Sequence, residues 1–413
     1  MKLFVGIDVS SEKLDVCFLN DDGVILSDLA LSNNILGASI IKTEVLKLHK
    51  LYNYKRIVIG MESTSIYSHH PSTFLHEDKD LKSLGVVEVL VLNPKNIKKY
   101  GDIFDEDKTD RIDARHIAEF LSLQRFKTSV IKEEKYVALQ RLTRSRSQLI
   151  SQVNKCKMHF LENLYYKCNT LAKELKEDAG TSPHGAALTD FLTEFLSLDE
   201  IAQMELEDLA ALLQEKGRGR FKNPENIAKV IKNAIRNSYR LGDMLQESVD
   251  VVLAMYVDTI KTLNKQIKVL DKAIERLAEA IPEIQILRSI PGIGPVYAAG
   301  IIAEIGQIER FDNDTKIAKY AGLHWKKKQS GKVESERTSL TFTGNKFLRY
   351  YLVEAANSVR LREPVYCDYY RKKYSEVPKH RHKRALVLTA RKLVRLVDVL
   401  LRNHQLYTLD RSG

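Results

Sequence analysis

Four acidic residues occupy positions where an acid is costly. Asp8 closes the apolar run "FVGID" and Glu62 closes "RIVIGME". Each sits at the carboxyl end of a predicted buried strand, the end at which open α/β sheets present their chemistry. Asp110 and Asp113 open "DRIDARHIAEFL", where the helical period places Asp113 on the face of Ile117, Phe120 and Leu121, with Asp110 one turn earlier on that face. Carboxylates on a packing face need a cation or hydrogen-bond donors to offset desolvation. Hard oxygen ligands from two strand ends and one helix suit Mg2+, and paired ions can hold both oxygens of a phosphodiester displacement. Each acid also has a plain structural reading. Asp110 would cap its helix with Asp113 at the positive end of the dipole, Asp8 would open the turn "DVSS", and Glu62 would cap the next helix or pair with a lysine. A Gly-x-Asp opening also fits the phosphate turn of sugar kinases and actin-like ATPases, but the second glycine-rich phosphate loop of those folds is not found.

The elements that must position these acids are legible in outline. Residues 3–8, 14–19 and 23–31 read as short strands joined by tight turns, a three-stranded meander. A helical stretch near 35–50, the strand ending at Glu62, another helix and the strand "VVEVLVLNP" then alternate as in an α/β layer. From about residue 130 apolar positions recur every three or four residues in "ALQRLTRSRSQLISQVNKCKMHFLENLYY" and "VVLAMYVDTIKTLNKQIKVLDKAIERLAEAIPE". These read as two long arms, paired as an antiparallel hairpin or as an oligomer's coiled coil. Residues 175–245 between them are polar and mixed, with "EKGRGRFKNPEN" as a loop, and Pro282 ends the second arm. The expected domains are therefore 1–128 (α/β), 129–284 (arms with a central insertion) and 285–413 (a compact, basic, mainly helical unit). A chain of 413 residues exceeds what one core usually serves, which agrees with such a division.

Composition narrows the partners. Sixty-five Lys and Arg against 54 Asp and Glu give a net charge of +11, which suits a polyanion, a balance shared by ribosomal, nucleic-acid-binding and anionic-membrane proteins. Cysteines 17, 156, 168 and 367 form no C-x-x-C pair and read as free thiols of a reducing cytosol. With no basic leader before an apolar stretch and no apolar segment of membrane-spanning length, the expected location is the cytoplasm.

The C-terminal third carries a second candidate site. "IPGIGPVYAAGIIAEIG" has the form of a helix-hairpin-helix turn, in which Gly292 and Gly294 would let backbone N–H groups approach a phosphate; the alternative is a plain αα-hairpin. In "AGLHWKKKQSGK" Lys326, Lys327, Lys328 and Lys332 surround Ser330, and "TGNKFLRYYLVEAA" adds Asn345 and Arg349. Those cations would neutralise phosphates and lower the barrier for an oxygen nucleophile attacking phosphorus. No histidine neighbours Ser330, so a protease-like triad has no local support, and on residue type alone Ser330 reads as a turn residue among the equally hydroxylic Ser335, Thr338, Ser339, Thr341 and Thr343. The tail "YRKKYSEVPKHRHKRALVLTARKLVRLVDVLL" joins a basic segment to an amphipathic helix, either a solvated face or a track along a nucleic-acid backbone. His380 and His382 lack an acid or cysteine at ligand spacing.

Taken in order, "GIDVS", "GMEST", "DKTDRIDARHIA", the long helices, "IPGIGPVYAAGIIAEIG", "AGLHWKKKQSGK" and "TGNKFLRYYLVEAA" resemble the DEDD transposases of the insertion sequence 110 family across nearly the whole chain, residues 175–245 being the least characteristic. The resemblance implies a RuvC-like, RNase-H-fold N-terminal domain whose acids, matching Asp8, Glu62, Asp110 and Asp113, hold Mg2+, and a C-terminal transposase domain whose serine nucleophile matches Ser330. It further implies a bridge RNA that pairs with donor and target DNA, assembly as homodimers and homotetramers across the helical arms, and a centre joining the acids of one subunit to the serine of another. Cutting and rejoining would then pass through a covalent serine–DNA intermediate and a Holliday-type junction. Family members commonly carry a proline shortly after the Gly-Leu where this chain has "GLHWKKK". The competing classes are a structure-selective, Mg-dependent nuclease of the Holliday-junction type, in which water attacks, and a non-catalytic nucleic-acid-binding protein.

Overall fold

The computed structural model describes residues 1–63, 66–104, 109–124, 131–183, 185, 188, 198–217, 220–221, 223–325, 329–330, 333–334, 340 and 343–408, of which 329, 330, 333 and 334 by backbone alone. These residues form two compact units. The first holds Met1–Glu134 and Gly306–Asp312, the second Lys135–Ile305 and Asn313–Gly413.

Unit 1 is built on a five-stranded sheet of order β3-β2-β1-β4-β5. Strands β1 (Lys2–Val9), β2 (Lys13–Asn20) and β3 (Ile25–Ser32) form the expected antiparallel meander. Its first turn is closed by the Ser10 hydroxyl, which accepts from the Lys13 N–H at 2.9 Å. The second is closed by Asn20, whose amide oxygen accepts from the N–H groups of Asp22 and Val24. Helix α1 (Ile35–Tyr52), capped by the Asn34 side chain, carries the chain back so that β4 (Arg56–Glu62) lies parallel to β1. Helices α2 (His69–Glu77) and α3 (Lys79–Ser83) lead to β5 (Val87–Leu92), parallel to β4, before α4 (Pro94–Gly101) and α5 (Asp110–Ser122).

The pleat of the sheet sorts its residues between two apolar layers. Leu3, Val5, Ile7, Ile57, Ile59 and Met61 pack with Ile41, Val45 and Leu48 of α1. Phe4, Cys17, Leu19 and Val58 face the other way, against Ala114, Ile117, Ala118 and Leu121 of α5. Gly6 and Gly60 are cross-strand partners on this second face and set how closely α5 can approach. A Cβ at Gly6 would lie 2.2 Å from the Ala114 carbonyl oxygen and 2.4 Å from the Ala118 nitrogen, whereas one at Gly60 would meet only the Leu121 side chain, at 2.7 Å. Gly6→Ala must therefore push a helix backbone off the sheet, while Gly60→Ala asks a side chain to repack. Gly6→Ala is expected to lower unfolding stability by about 1–3 kcal/mol, and Gly60→Ala by clearly less, read from the shift in urea midpoint.

In unit 2 the long helices α6 (Glu134–Lys167) and, after the intervening segment, α11 (Asp243–Glu279) run antiparallel. Arg146 pairs with Asp271, His159 stacks on Tyr256 at 5.6 Å, and Lys167 bonds Asp250 at 2.7 Å, so one index rises as the other falls. The segment between them is more ordered than its mixed composition suggests. Helices α7 (Leu171–Glu177), α8 (Leu198–Gln203), α9 (Leu206–Lys216) and α10 (Pro224–Asn237) share a buried cluster with the arms, and of the expected loop the described residues Gly217, Arg220, Phe221 and Asn223 lie outside helices. Ile227, Ala228, Val230, Ile231, Ala234 and Ile235 line the buried stripe of α10, a helical period that the flanking Lys, Asn and Arg residues obscure. After the arms come α12 (Pro282–Arg288), α13 (Pro295–Ile305), α14 (Asp314–Ala321), a small hairpin of β6 (Gln329–Ser330) and β7 (Val333–Glu334), then α15 (Lys346–Val359), α16 (Pro364–Ser375) and α17 (Arg381–Arg402). Helix α13 is buried from Ala298 to Ile305, the central rod of this part. All four cysteines are free thiols. Among the described residues no helix is long and apolar enough to cross a membrane.

Candidate active site

The acidic site follows from strand register. Ile7 of β1 lies beside Met61 of β4, so the next residue of each strand, Asp8 and Glu62, emerges on neighbouring strands. By the pleat both side chains take the face covered by α5, continuing the rows Phe4–Gly6–Asp8 and Val58–Gly60–Glu62. Close approach of α5 at Gly6 then sets the first turn of the helix, with Asp110 and Asp113, over those strand ends.

Three of the capping and turn roles open to these acids are filled by other residues, while Asp110 and Asp113 do lie in the first turn of α5, at the positive end of its dipole. Thr109, not Asp110, caps α5, its hydroxyl accepting from the Ile112 N–H at 3.3 Å. Ser10 closes the turn after β1, and Asp8 is paired within the strand, opposite Asp15. The helix after Glu62 begins at His69, with Ser68 at its cap position. One expectation needs correction: Asp110 does not lie on the packing face. Its side chain is 64% exposed, because the buried stripe of α5 starts only at Ala114 and the first residue of the helix overhangs the sheet.

Electrostatics tie the four acids together. The Asp8 carboxyl is pushed up from 3.8 to about 6, first by its partial burial and then by the charges of Asp113, Asp110 and Glu62, with the Val9 N–H opposing. Lys13 supplies a positive charge beside this group. Its ammonium is 2.8 Å from Asp15 Oδ1 and 3.9 Å from Asp110 Oδ2, and the Asp15 hydrogen bond is the main cause of its raised pKa. Among the described residues no three His, Cys, Asp or Glu side chains stand arranged to hold a metal ion, so the acids are gathered without being closed around a point. Four carboxylates, one of them on an exposed helix end, are hard oxygen donors, the chemistry a divalent cation requires.

The second candidate site is a hairpin between α14 and α15. Trp325 bridges Leu340, Gln329 pairs with Glu334 and Ser330 with Val333, which makes Ser330 the last paired residue before Gly331 and Lys332. The side chain of Ser330 and the residues Lys326, Lys327, Lys328 and Lys332 lie outside the described residues. The hairpin's base is closed tightly. The Asn345 N–H donates to the Tyr320 carbonyl at 2.7 Å, and Arg349 Nη1 donates to the Ala321 carbonyl at 3.0 Å. Gly344, at φ +150, has no room for a Cβ, which would sit 2.6 Å from the Tyr320 oxygen. Asn345 caps α15 through Oδ1, while its Nδ2 donates to Glu304 Oε2 at 2.6 Å and to the Tyr320 hydroxyl at 3.1 Å. Glu304 is wholly buried and also receives a two-pronged contact from Arg144, at 2.7 and 2.8 Å, and one from Gln140 at 3.0 Å. The structure thus places Asn345 and Arg349 in the hairpin's foundation. Gly292, at φ +99, is packed against the backbone of Ser358 and Val359, whereas Gly294 faces open space ahead of α13.

Comparison with known proteins decides the family. A family model described as a transposase, of the DEDD type of IS110, matches residues 5–166, and one described as a transposase of the IS116/IS110/IS902 family matches residues 284–371. The chain belongs to the IS110 family of transposases. It is 25% identical over 304 residues to a 44.8 kDa protein of insertion element IS116 from Streptomyces clavuligerus, covering 73% of each chain. It is 24% identical over 309 residues to a 42 kDa protein of insertion element IS900 from Mycobacterium paratuberculosis, 74% of each. A pilin gene-inverting protein from Moraxella bovis is 32% identical over 109 residues, 25% of this chain and 34% of the relative.

Two features of the transposase escaped the sequence reading. Asp15 faces Asp8 across the meander, and its signal was an acid inside a strand buried along seven consecutive residues. Glu304 had a similar signal, the one charge within an eleven-residue apolar helix, though its partner Arg144 is 160 positions away. Glu304→Ala leaves Arg144 without its anion and is expected to cost about 3–5 kcal/mol, measured by urea unfolding. Trp325, the lone tryptophan, sits at the hairpin's base and should show a red-shifted emission in that variant before global unfolding.

Proposed function

We propose that this transposase is a Mg2+-dependent, site-specific DNA recombinase that cuts and rejoins donor and target DNA through Ser330 under the guidance of a bridge RNA. The observation that carries the reading is the Asp8 carboxyl, raised to about 6 by burial and by the three other acids. Carboxylates on separate elements share one electrostatic site there, an arrangement unfavourable for the fold alone and suited to a divalent cation. The order β3-β2-β1-β4-β5, with an antiparallel meander joined to two parallel strands, supports an RNase-H-like, RuvC-like domain over residues 1–128. Residues 129–284 would serve as arms through which copies of the chain assemble as dimers and tetramers, in the manner of a coiled coil. Residues 285–413 would carry the serine, with the helix-hairpin-helix-like turn near Gly294 touching DNA.

In this reading Asp8, Glu62, Asp110 and Asp113 hold Mg2+, which when bound neutralises charge on the scissile phosphate and favours the oxygen nucleophile. Asp8 and Glu62 are fixed by the sheet, while Asp110, exposed and in reach of Lys13, is free to adjust as the site fills. Ser330 forms a bond from Oγ to phosphorus as the bond to the leaving deoxyribose oxygen breaks; the hydroxyl proton is lost and the leaving oxygen gains one. Reversal by a different deoxyribose hydroxyl reseals the strand and releases the serine. The basic net charge suits holding RNA and two DNA duplexes together. Incubation with bridge RNA, donor and target DNA tests the whole: joined product in Mg2+ and none in EDTA supports it, whereas cleavage by the Ser330→Ala variant would favour a nuclease that uses water.

A further inference from the structure

Helices α16 and α17 and the link between them concentrate positive charge. From residue 371 to 384 there are seven Lys or Arg and a single acid, Glu376. That acid is already engaged, at 2.6 Å from Lys373 and 3.0 Å from Arg384, and these two cations hold its carboxyl below the usual range. Arg371 has a contact of only 3.9 Å with Asp368, and both side chains are about three-quarters exposed. Lys372, Lys379 and Lys383 are exposed, and their ammonium groups have no ion-pair or hydrogen-bond partner among the described residues. A solvated face usually interleaves signs; here one sign accumulates, and its self-repulsion works against the folded state unless a polyanion covers it.

Tyrosines hold part of this charge in place. The Arg360 guanidinium lies 4.3 Å from the centre of the Tyr370 ring and Arg381 lies 5.8 Å from that of Tyr374. The Tyr370 hydroxyl is 2.7 Å from His382 Nδ1, tying the two helices together. Cations laid on rings have already given up much of their rotamer freedom, so a further contact costs them less. The rings are covered by these cations, which favours phosphate contact over base stacking. A lipid surface fits poorly, because α17 turns Ala385, Leu386, Ala390, Leu393 and Val394 into the core and its basic end offers no apolar wedge.

We propose that the face formed by α16, α17 and their link, centred on Lys372, Lys379 and Lys383, binds the phosphodiester backbone of a nucleic-acid duplex without regard to sequence. This deepens the recombinase reading and rests on it only for the identity of the polyanion. The test uses binding alone, in the full-length Asp8→Asn background, so that failure of the metal chemistry does not touch it. Probes are a labelled random-sequence duplex DNA and a labelled RNA stem-loop, each titrated across a NaCl series. The variant K372Q/K379Q/K383Q is compared with K265Q/K268Q/K272Q, an equal change of net charge on exposed lysines of α11. The first variant is expected to flatten the plot of log affinity against log salt by about 2–3 and to weaken low-salt binding at least about tenfold, with the second close to the parent. The single variant K379Q should show about a third of the change in slope. Loss with DNA alone assigns the face to DNA, and loss with RNA alone assigns it to RNA. Equal effects of both triple variants, or an unchanged slope with both probes, would overturn the proposal. So would unchanged nucleic-acid binding together with lost binding of polyglutamate, the result expected of an acidic protein partner.

Discussion

Asp8→Asn should abolish DNA cleavage and joining, by on the order of 10³-fold or more, while making the metal-free protein more stable at neutral pH. Both effects come from the same charge. Asp8 has a folded-state pKa near 6 against an ordinary 3.8, so the folded form binds this proton more tightly than the unfolded chain does. The associated stability is fully present below the ordinary value and is lost as pH rises through about 6. At pH 7.5 the ionised Asp8 is therefore a net cost, because it is partly buried beside Asp113, Asp110 and Glu62. Asparagine keeps the shape without the charge, and after allowance for solvent screening the gain should be about 1–2 kcal/mol. At pH 4 most of that gain should disappear. Thermal melts of the parent and variant at the two pH values, in EDTA, give the comparison. A variant less stable than the parent at pH 7.5 would mean that the Asp8 charge is already compensated within the protein.

The second large effect concerns Ser330. Ser330→Ala should remove the covalent protein–DNA adduct and lower strand joining by at least about 10⁴-fold, with RNA binding unchanged. Ser330 is the last paired residue of a hairpin whose base is locked by Asn345, Arg349 and buried Glu304. A locked base favours the fixed position that a nucleophile requires and an ordinary surface turn does not. Denaturing electrophoresis of labelled DNA after reaction, with and without protease, detects the adduct. An adduct retained in Ser330→Ala and lost in Ser335→Ala would move the assignment to Ser335.

Much of unit 1 was readable from the sequence because its signals are local. Alternation and β-branched runs marked β1, β4 and β5, and the period of Ala114, Ile117, Ala118 and Leu121 marked the buried face of α5. The acids at the strand ends were readable for the same reason: an apolar run that stops at a carboxylate is a local event. What the sequence could not supply was registration between distant segments. That Asp8 and Glu62 are next to one another follows from the pairing of Ile7 with Met61, and that α5 can come close follows from two glycines meeting across β1 and β4. Asp110 was misplaced because periodicity alone does not say where a helix leaves the surface it packs on. The helices between 171 and 237 were underread because polar residues on one face concealed the apolar stripe on the other. The Glu304 centre joins α6, α13 and α15, and no short window of sequence contains such a relation.

Whether Asp8, Glu62, Asp110 and Asp113 form one cation site is read by calorimetric titration of Mn2+ into metal-free protein, without nucleic acid. Binding should saturate in the parent, be lost in Asp8→Asn and in Glu62→Gln, and be restored at neither position by raised pH. Binding of equal strength in all three proteins, or none in the parent, would rule out a shared site.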